Sequence, residues 1–168
     1  MKIAVLGYSG SGKSTLAKAL AEKYGTDALH MDSVHFLPGW TERTRDEQQA
    51  IVKEYMDSHD AWVIDGNYTN LEYERRLREA DMIIIMIFNR FSCLYRAWKR
   101  NKEYKGKTRD SMAPGCPEKL DREFIMWILR GGRSKAQRRR YKNICSAYAE
   151  KVTVIRNQHE LNRFYKEL

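Results

Sequence analysis

Cysteine and proline are scarce, three of each in 168 residues. Cys93, Cys116 and Cys145 are odd in number, widely spaced and without a C-x-x-C pair. That argues against a zinc ribbon and against a secreted disulfide framework, so a reducing cytoplasm is the expected compartment. Long apolar runs are also missing. The longest, residues 82–88, has seven residues, whereas a spanning helix needs about 20, so no membrane segment is expected. The N-terminal apolar stretch, residues 3–6, is too short for a secretory signal. His30, His35, His59 and His159 have no metal-ligand spacing. Internal repeats and low-complexity tracts are absent, and the length fits one domain over residues 1–168.

Acidic residues run short in one half of the chain. Residues 1–84 carry 10 Lys+Arg against 14 Asp+Glu, and residues 85–168 carry 21 against 8. Most of the excess lies in residues 89–142, with 17 basic against 5 acidic side chains. Such a block needs an anionic partner or a well-solvated surface. A phosphate site elsewhere in the chain would decide between them.

What the chain does have is enough apolar sequence, 42%, to build a core. Its periodicity alternates strands and helices. Residues 2–6, 28–31, 61–64, 82–88 and 151–155 read as strands, the fourth apolar at every position and so expected to be covered on both faces. Residues 15–24 read as a helix ended by Gly25, and Thr44 to Glu47 is a capping-box pattern before a helical face of Gln48, Ile51, Val52 and Tyr55. Further helices are expected over 69–80, from a Ser92 cap with Leu94, Tyr95 and Trp98, over 118–130 and 134–149, and at the C-terminus with Leu161, Phe164, Tyr165 and Leu168 inward. Residues 101–117 lack an apolar period and read as a mobile loop. Strands alternating with helices imply an α/β fold with a parallel sheet.

The segment from Gly7 to Ser14, GYSGSGKS, matches G-x-x-x-x-G-K-[ST] between an apolar strand and an amphipathic helix. Gly7, Ser9, Gly10, Ser11 and Gly12 would curl the backbone so that its N–H groups face phosphate oxygens. The helix start adds its dipole. Lys13 would reach the β- and γ-phosphates of ATP, Ser14 would ligate Mg²⁺, and Thr15 offers a second hydroxyl. Asp65 ends the third strand before Gly66, where an acid can hold Mg²⁺ through water or orient the acceptor. Asp32 ends the second strand in the same way, where turn formation explains it equally well.

These residues carry a resemblance. The glycine loop, the Asp65-Gly66 turn and an arginine-rich insert after the fourth strand resemble the nucleoside monophosphate kinase group of P-loop proteins. His30-Met31-Asp32, Pro38-Gly39-Trp40, Trp62 to Tyr68, Asn89-Arg90, Cys93 to Arg96 and Gly115 to Glu118 narrow it: the chain resembles the adenylate-kinase-related DNA topology modulation proteins over nearly its whole length. The resemblance implies a three-layer fold with a five-stranded sheet of order 2-3-1-4-5 and a helical, arginine-bearing lid at about residues 96–140. It also implies Arg96, Arg100, Arg138 and Arg139 at the feet of the lid, with the choice between the last two open. Each of these arginines has a solvated surface role as its equal alternative. Where adenylate kinases carry Asp-Gly-Phe-Pro-Arg, this chain has Asp65-Gly66-Asn67-Tyr68, so AMP is not the expected acceptor. Arg43 and Arg45 could face an acceptor, as could Trp40 by stacking, although a buried indole is the simpler role for Trp40. Phe124, Trp127 and Ile128, with Tyr95 and Trp98, read as lid-hinge core.

The expected activity is ATP-dependent phosphoryl transfer to a small-molecule acceptor, with ATP and Mg²⁺ as cofactors. Lys13, Arg96, Arg100, Arg138, Arg139 and Asp65 are the catalytic set, and Asp32, Trp40, Arg45 and Asp65 the substrate-binding set. The less favoured alternative is a nucleotide-regulated nucleic-acid-binding protein affecting DNA topology. No helix-turn-helix, zinc-finger or RNA-binding strand motif supports it.

Overall fold

A computed structural model describes all residues, 1–168. The chain runs β1 (Lys2–Gly7), α1 (Lys13–Tyr24), β2 (Ala28–His30), α2 (Met31–His35), β3 (Phe36–Leu37), β4 (Thr41–Glu42), α3 (Arg45–Ser58), β5 (Trp62–Asp65), α4 (Tyr73–Glu79), β6 (Met82–Met86), α5 (Arg90–Glu103), α6 (Arg122–Leu129), α7 (Lys135–Ala147), β7 (Val152–Ile155) and α8 (Gln158–Glu167). Five strands form one parallel sheet in the order β2-β5-β1-β6-β7. Counted within this sheet alone, the order is the expected 2-3-1-4-5. Ile3–Leu6, Trp62–Ile64 and Ile83–Met86 are at most 1% exposed, as strands covered by helices on both faces must be. The short β3–β4 ribbon is antiparallel and was not expected from the sequence. No helix is long and apolar enough to cross a membrane.

Several local expectations change. The helix expected over 69–80 starts only at Tyr73, because the preceding carbonyls of Gly66, Tyr68 and Leu71 turn inward to accept from the buried Arg76 guanidinium. Burial pushes the Arg76 pKa down to about 10, which leaves it charged at neutral pH. On α5 the cap is Asn89, whose Oδ1 accepts the Ser92 N–H at 2.9 Å; Ser92 is inside the first turn. The inward face of α5 is Cys93 and Ala97, while Tyr95 and Trp98 are 62% and 43% exposed. Gly10 explains this: a Cβ there would meet the Cys93 carbonyl oxygen at 2.5 Å, so only small residues fit where α5 crosses the loop. The rings are left outside, stacked on each other at 5.9 Å with the Lys102 ammonium 4.0 Å from the Trp98 ring. Trp127 is also exposed, although Ile128 is buried. On α8, Leu161 is buried and Tyr165 is 37% exposed.

Residues 101–117 depart furthest from expectation. The segment buries Met112, Ala113 and Cys116 as a second small cluster against Phe36 and Trp40. Gly39 N–H donates to the Gly115 carbonyl at 3.0 Å, and Cys116 Sγ donates to the Leu37 carbonyl at 3.2 Å. In this state the segment is docked on the β3–β4 ribbon.

Candidate functional site

Residues 8–12 link the C-terminal end of β1 to α1. Gly7 sits where a Cβ would lie 2.3 Å from the Met86 carbonyl oxygen, so neighbouring β6 and the loop can close only on glycine. Asn67 grips the Gly7 peptide from both sides: it accepts the Gly7 N–H at 3.1 Å and donates to the Gly7 carbonyl at 2.6 Å. Tyr141 OH in turn donates to Asn67 Oδ1 at 3.2 Å.

Past Gly7 the loop has donors to spare. Tyr8 N–H bonds the Met86 carbonyl and Ser11 N–H bonds the Tyr8 carbonyl. The N–H groups of Ser9, Gly10, Gly12, Lys13, Ser14 and Thr15 donate to no protein acceptor. The Ser11 hydroxyl is buried and also unpaired. Six orphan N–H groups at a helix start form a ready anion cradle. Triphosphate oxygens fit this donor set.

Lys13 Nζ donates to the Tyr8 carbonyl at 3.1 Å. Burial pushes its pKa down, partly offset by the charges of Asp65 and Asp32. Asp65 is 4% exposed, and its Oδ1 lies 2.8 Å from His30 Nδ1, its cross-strand partner in register. Asp32 accepts from Tyr68 OH at 2.8 Å. Ser14 is half-buried on the first turn of α1, whereas Thr15 faces solvent. No three His, Cys, Asp or Glu side chains converge, so a Mg²⁺ ion held by Ser14 and Asp65 would draw its other ligands from phosphate and water.

The arginines separate into different roles. Arg96 Nη1 donates to the Ser11 carbonyl at 2.6 Å, Nη2 bonds Gln158, and the guanidinium lies 4.4 Å from the Phe88 ring. It braces the back of the loop. Arg100 pairs with Glu118 at 2.6 Å, and Arg109 pairs with the other oxygen of the same carboxylate at 2.6 Å. Burial pushes the Arg100 pKa down, and the Arg109 charge adds to this. Arg138 lines a cavity beside Tyr8. Arg139 is not among the residues lining it; both arginines are exposed on α7 without a hydrogen-bond or ion-pair partner.

Arg45 is exposed at the start of α3 without a partner; its neighbour Arg43 is the anchored one, with Nε on the Val34 carbonyl at 3.0 Å. Trp40 packs edge-on against Phe36 at 5.1 Å, with Lys119 over its ring, and so joins the small cluster under residues 112–116.

Four residues near the loop were missed. His30 buttresses Asp65, and Asn67 fixes Gly7. Arg133 lies 3.9 Å over the Tyr8 ring and donates to the Phe88 carbonyl at 3.0 Å. Trp127 Nε1 donates to Ser9 Oγ at 3.1 Å, which sets α6 over the glycine loop. Asn67 left a sequence signal, as the residue standing where the resemblance led one to expect the Phe of Asp-Gly-Phe-Pro-Arg, and His30 lay in one of the segments that carry the resemblance.

The family described as AAA domain matches residues 3–125, which include the whole loop, Asp32, Asp65, Arg96 and Arg100. No curated protein matches the chain. Among solved structures, an uncharacterized protein from Eubacterium ventriosum ATCC 27560 is 16% identical with a TM-score of 0.46, over 86% of this chain and 78% of that one. A gluconokinase from Sinorhizobium meliloti 1021 is 18% identical with a TM-score of 0.47, over 91% and 80%.

Proposed function

The chain belongs to the AAA domain family, with a P-loop nucleotide-binding fold, and from that premise we propose that it is an ATP-dependent phosphotransferase acting on a small-molecule acceptor. The observation that carries this reading is the run of unpaired N–H groups at Ser9, Gly10 and Gly12–Thr15, with Lys13 beside them. In it, the loop N–H groups hold the ATP phosphates, and Lys13 stabilises negative charge on the transferred group. Ser14 and Asp65 hold Mg²⁺, which neutralises phosphate charge when bound. His30 fixes the Asp65 carboxylate in place, and Asp32 orients the acceptor from the same side of the loop. Arg96 acts by bracing the Ser11 peptide. Arg100 supplies positive charge from the end of α5.

A thermal-shift and coupled ADP-release screen of nucleosides, sugars and phosphorylated metabolites with ATP-Mg²⁺ tests this. The expected result is stabilisation by ATP-Mg²⁺ and faster ADP release with one acceptor class. Nucleotide binding that never stimulates release with any acceptor overturns the transferase reading.

One observation favours the nucleic-acid alternative: Phe91, Tyr95 and Trp98 form an exposed aromatic stripe beside Lys102 on α5. Stacking platforms with basic flanks bind single strands. That reading requires binding at physiological salt with a steep slope, roughly −0.7 per phosphate neutralised on a single strand.

A further inference from the structure

Beside the glycine loop, at the C-terminal ends of β1, β6 and β7, lies a cavity of about 620 Å³. Arg90, Arg130, Arg133, Arg138 and Arg156 converge on it, and no Asp or Glu lines it. Four of the five have no carboxylate partner; Arg156 alone pairs with Glu160, at 3.8 Å. Arg133 is tied down through neutral acceptors, the Ile128 and Phe88 carbonyls at 2.8 and 3.0 Å and Cys93 Sγ, so its charge is not neutralised. Five like charges around one concavity make a positive potential that favours an anion among them.

The position separates this cavity from the phosphate cradle. Neither Lys13 nor Ser14 lines it. The sheet order places β6 and β7 on one side of β1, and β5 with Asp65 on the other. Tyr8 is the one loop residue common to both places. The wall is not purely charged: Tyr8, Phe88 and Leu129 give it an apolar side. A concavity of this size suits a small molecule.

We propose that this cavity is a second ligand site, taking a small phosphate monoester with a planar or apolar body, bound at the same time as the nucleotide. Arginine forks match phosphate oxygens in pairs, and the dianion supplies the missing charge. The simultaneous-binding part rests on the reading of the glycine loop as the nucleotide site; the cavity's own ligand class does not.

Phenyl phosphate is a suitable probe, with phenol as the neutral control. Calorimetric titration is run on the protein alone, on the protein saturated with ADP-Mg²⁺, on Lys13→Met, and on the double variant Arg130→Ala/Arg156→Ala. Arg130 and Arg156 are exposed and hold no buried contact, so the double variant keeps the fold. Expected results are phenyl phosphate binding with and without ADP, no phenol binding, and undiminished binding to Lys13→Met. The double variant should bind phenyl phosphate at least about tenfold more weakly while its ADP affinity stays within about twofold. Loss of phenyl phosphate binding when ADP is present would place both ligands in one site and overturn the proposal. So would equal binding by the double variant, equal binding of phenol, or binding of a single-stranded oligonucleotide that phenyl phosphate does not displace. If ADP fails to bind at all while phenyl phosphate binds as expected, the nucleotide reading fails and the anion site stands.

Discussion

Around the glycine loop the fixed points come from the sheet. Gly7 closes on Met86 of β6, Tyr8 N–H bonds the Met86 carbonyl, and Asn67 clamps Gly7 from the end of β5. In the insert between α5 and α6 the fixed points are a few side chains: Glu118 between Arg100 and Arg109, and three buried residues on Phe36 and Trp40. The loop therefore shares the cooperative stability of a 32-residue core, whereas the insert rests on contacts that open locally. A phosphate cradle benefits from the first arrangement because preorganised donors need no rearrangement on binding. A segment that must admit a ligand benefits from the second.

The contrast breaks most severely from the sheet side. Ile84→Ala, in a fully buried position of β6, should cost about 2–5 kcal/mol of global stability, measured by urea unfolding. An equal loss from Cys116→Ala would mean the insert is as integral as the sheet.

Lys13→Met sharpens the functional half of the comparison. It should weaken ADP-Mg²⁺ binding by about 10- to 100-fold, as loss of a charge-assisted phosphate contact implies, while melting temperature holds or rises. The sign follows from burial: the folded pKa of Lys13 lies below the ordinary 10.5, so the unfolded chain binds more protons between the two values. Lys13 thus opposes folding at neutral pH. That opposition fades as pH rises through the lowered value and is gone above 10.5, and Lys13→Met should lack this rise in melts of the nucleotide-free protein.

Glu118→Gln tests the insert. It leaves two partly buried guanidinium groups without their carboxylate, so amide hydrogen exchange over residues 105–118 should speed up by about tenfold, corresponding to roughly 1–2 kcal/mol. Amides of β1 and β6 should be unaffected. Equal acceleration in both regions would show one cooperative unit.

Trp127→Phe is the smallest perturbation. It removes the hydrogen bond to Ser9 Oγ, about 1 kcal/mol at an exposed site, and part of the ring packed on Gly131 and Gly132, and ADP affinity should change by less than about fivefold. A larger change would make Trp127 part of the nucleotide site.

The strands and the glycine loop were legible because their causes are local: unbroken apolar runs, Gly7 and Gly12 at fixed offsets, and Lys13 before a helical face. The α5 face was misread for a reason outside α5. Its aromatic residues have the period of a buried stripe, but the backbone of Gly10 comes too near Cys93 to admit them. Residues 101–117 were read as mobile because their apolar partners, Phe36 and Trp40, come from a ribbon formed far earlier in the chain. His30 looked ordinary until β2–β5 register placed it opposite Asp65.

The sequence by itself determined the α/β alternation, the phosphate loop and the charge asymmetry between the two halves. Each follows from short-range patterning or plain counting. Only the tertiary structure decided which arginines are paired with acids, which brace backbone, and which gather unpaired around the cavity. A guanidinium on a long, flexible stem takes its role from whatever acceptor the fold brings within reach, and sequence spacing does not encode that neighbour.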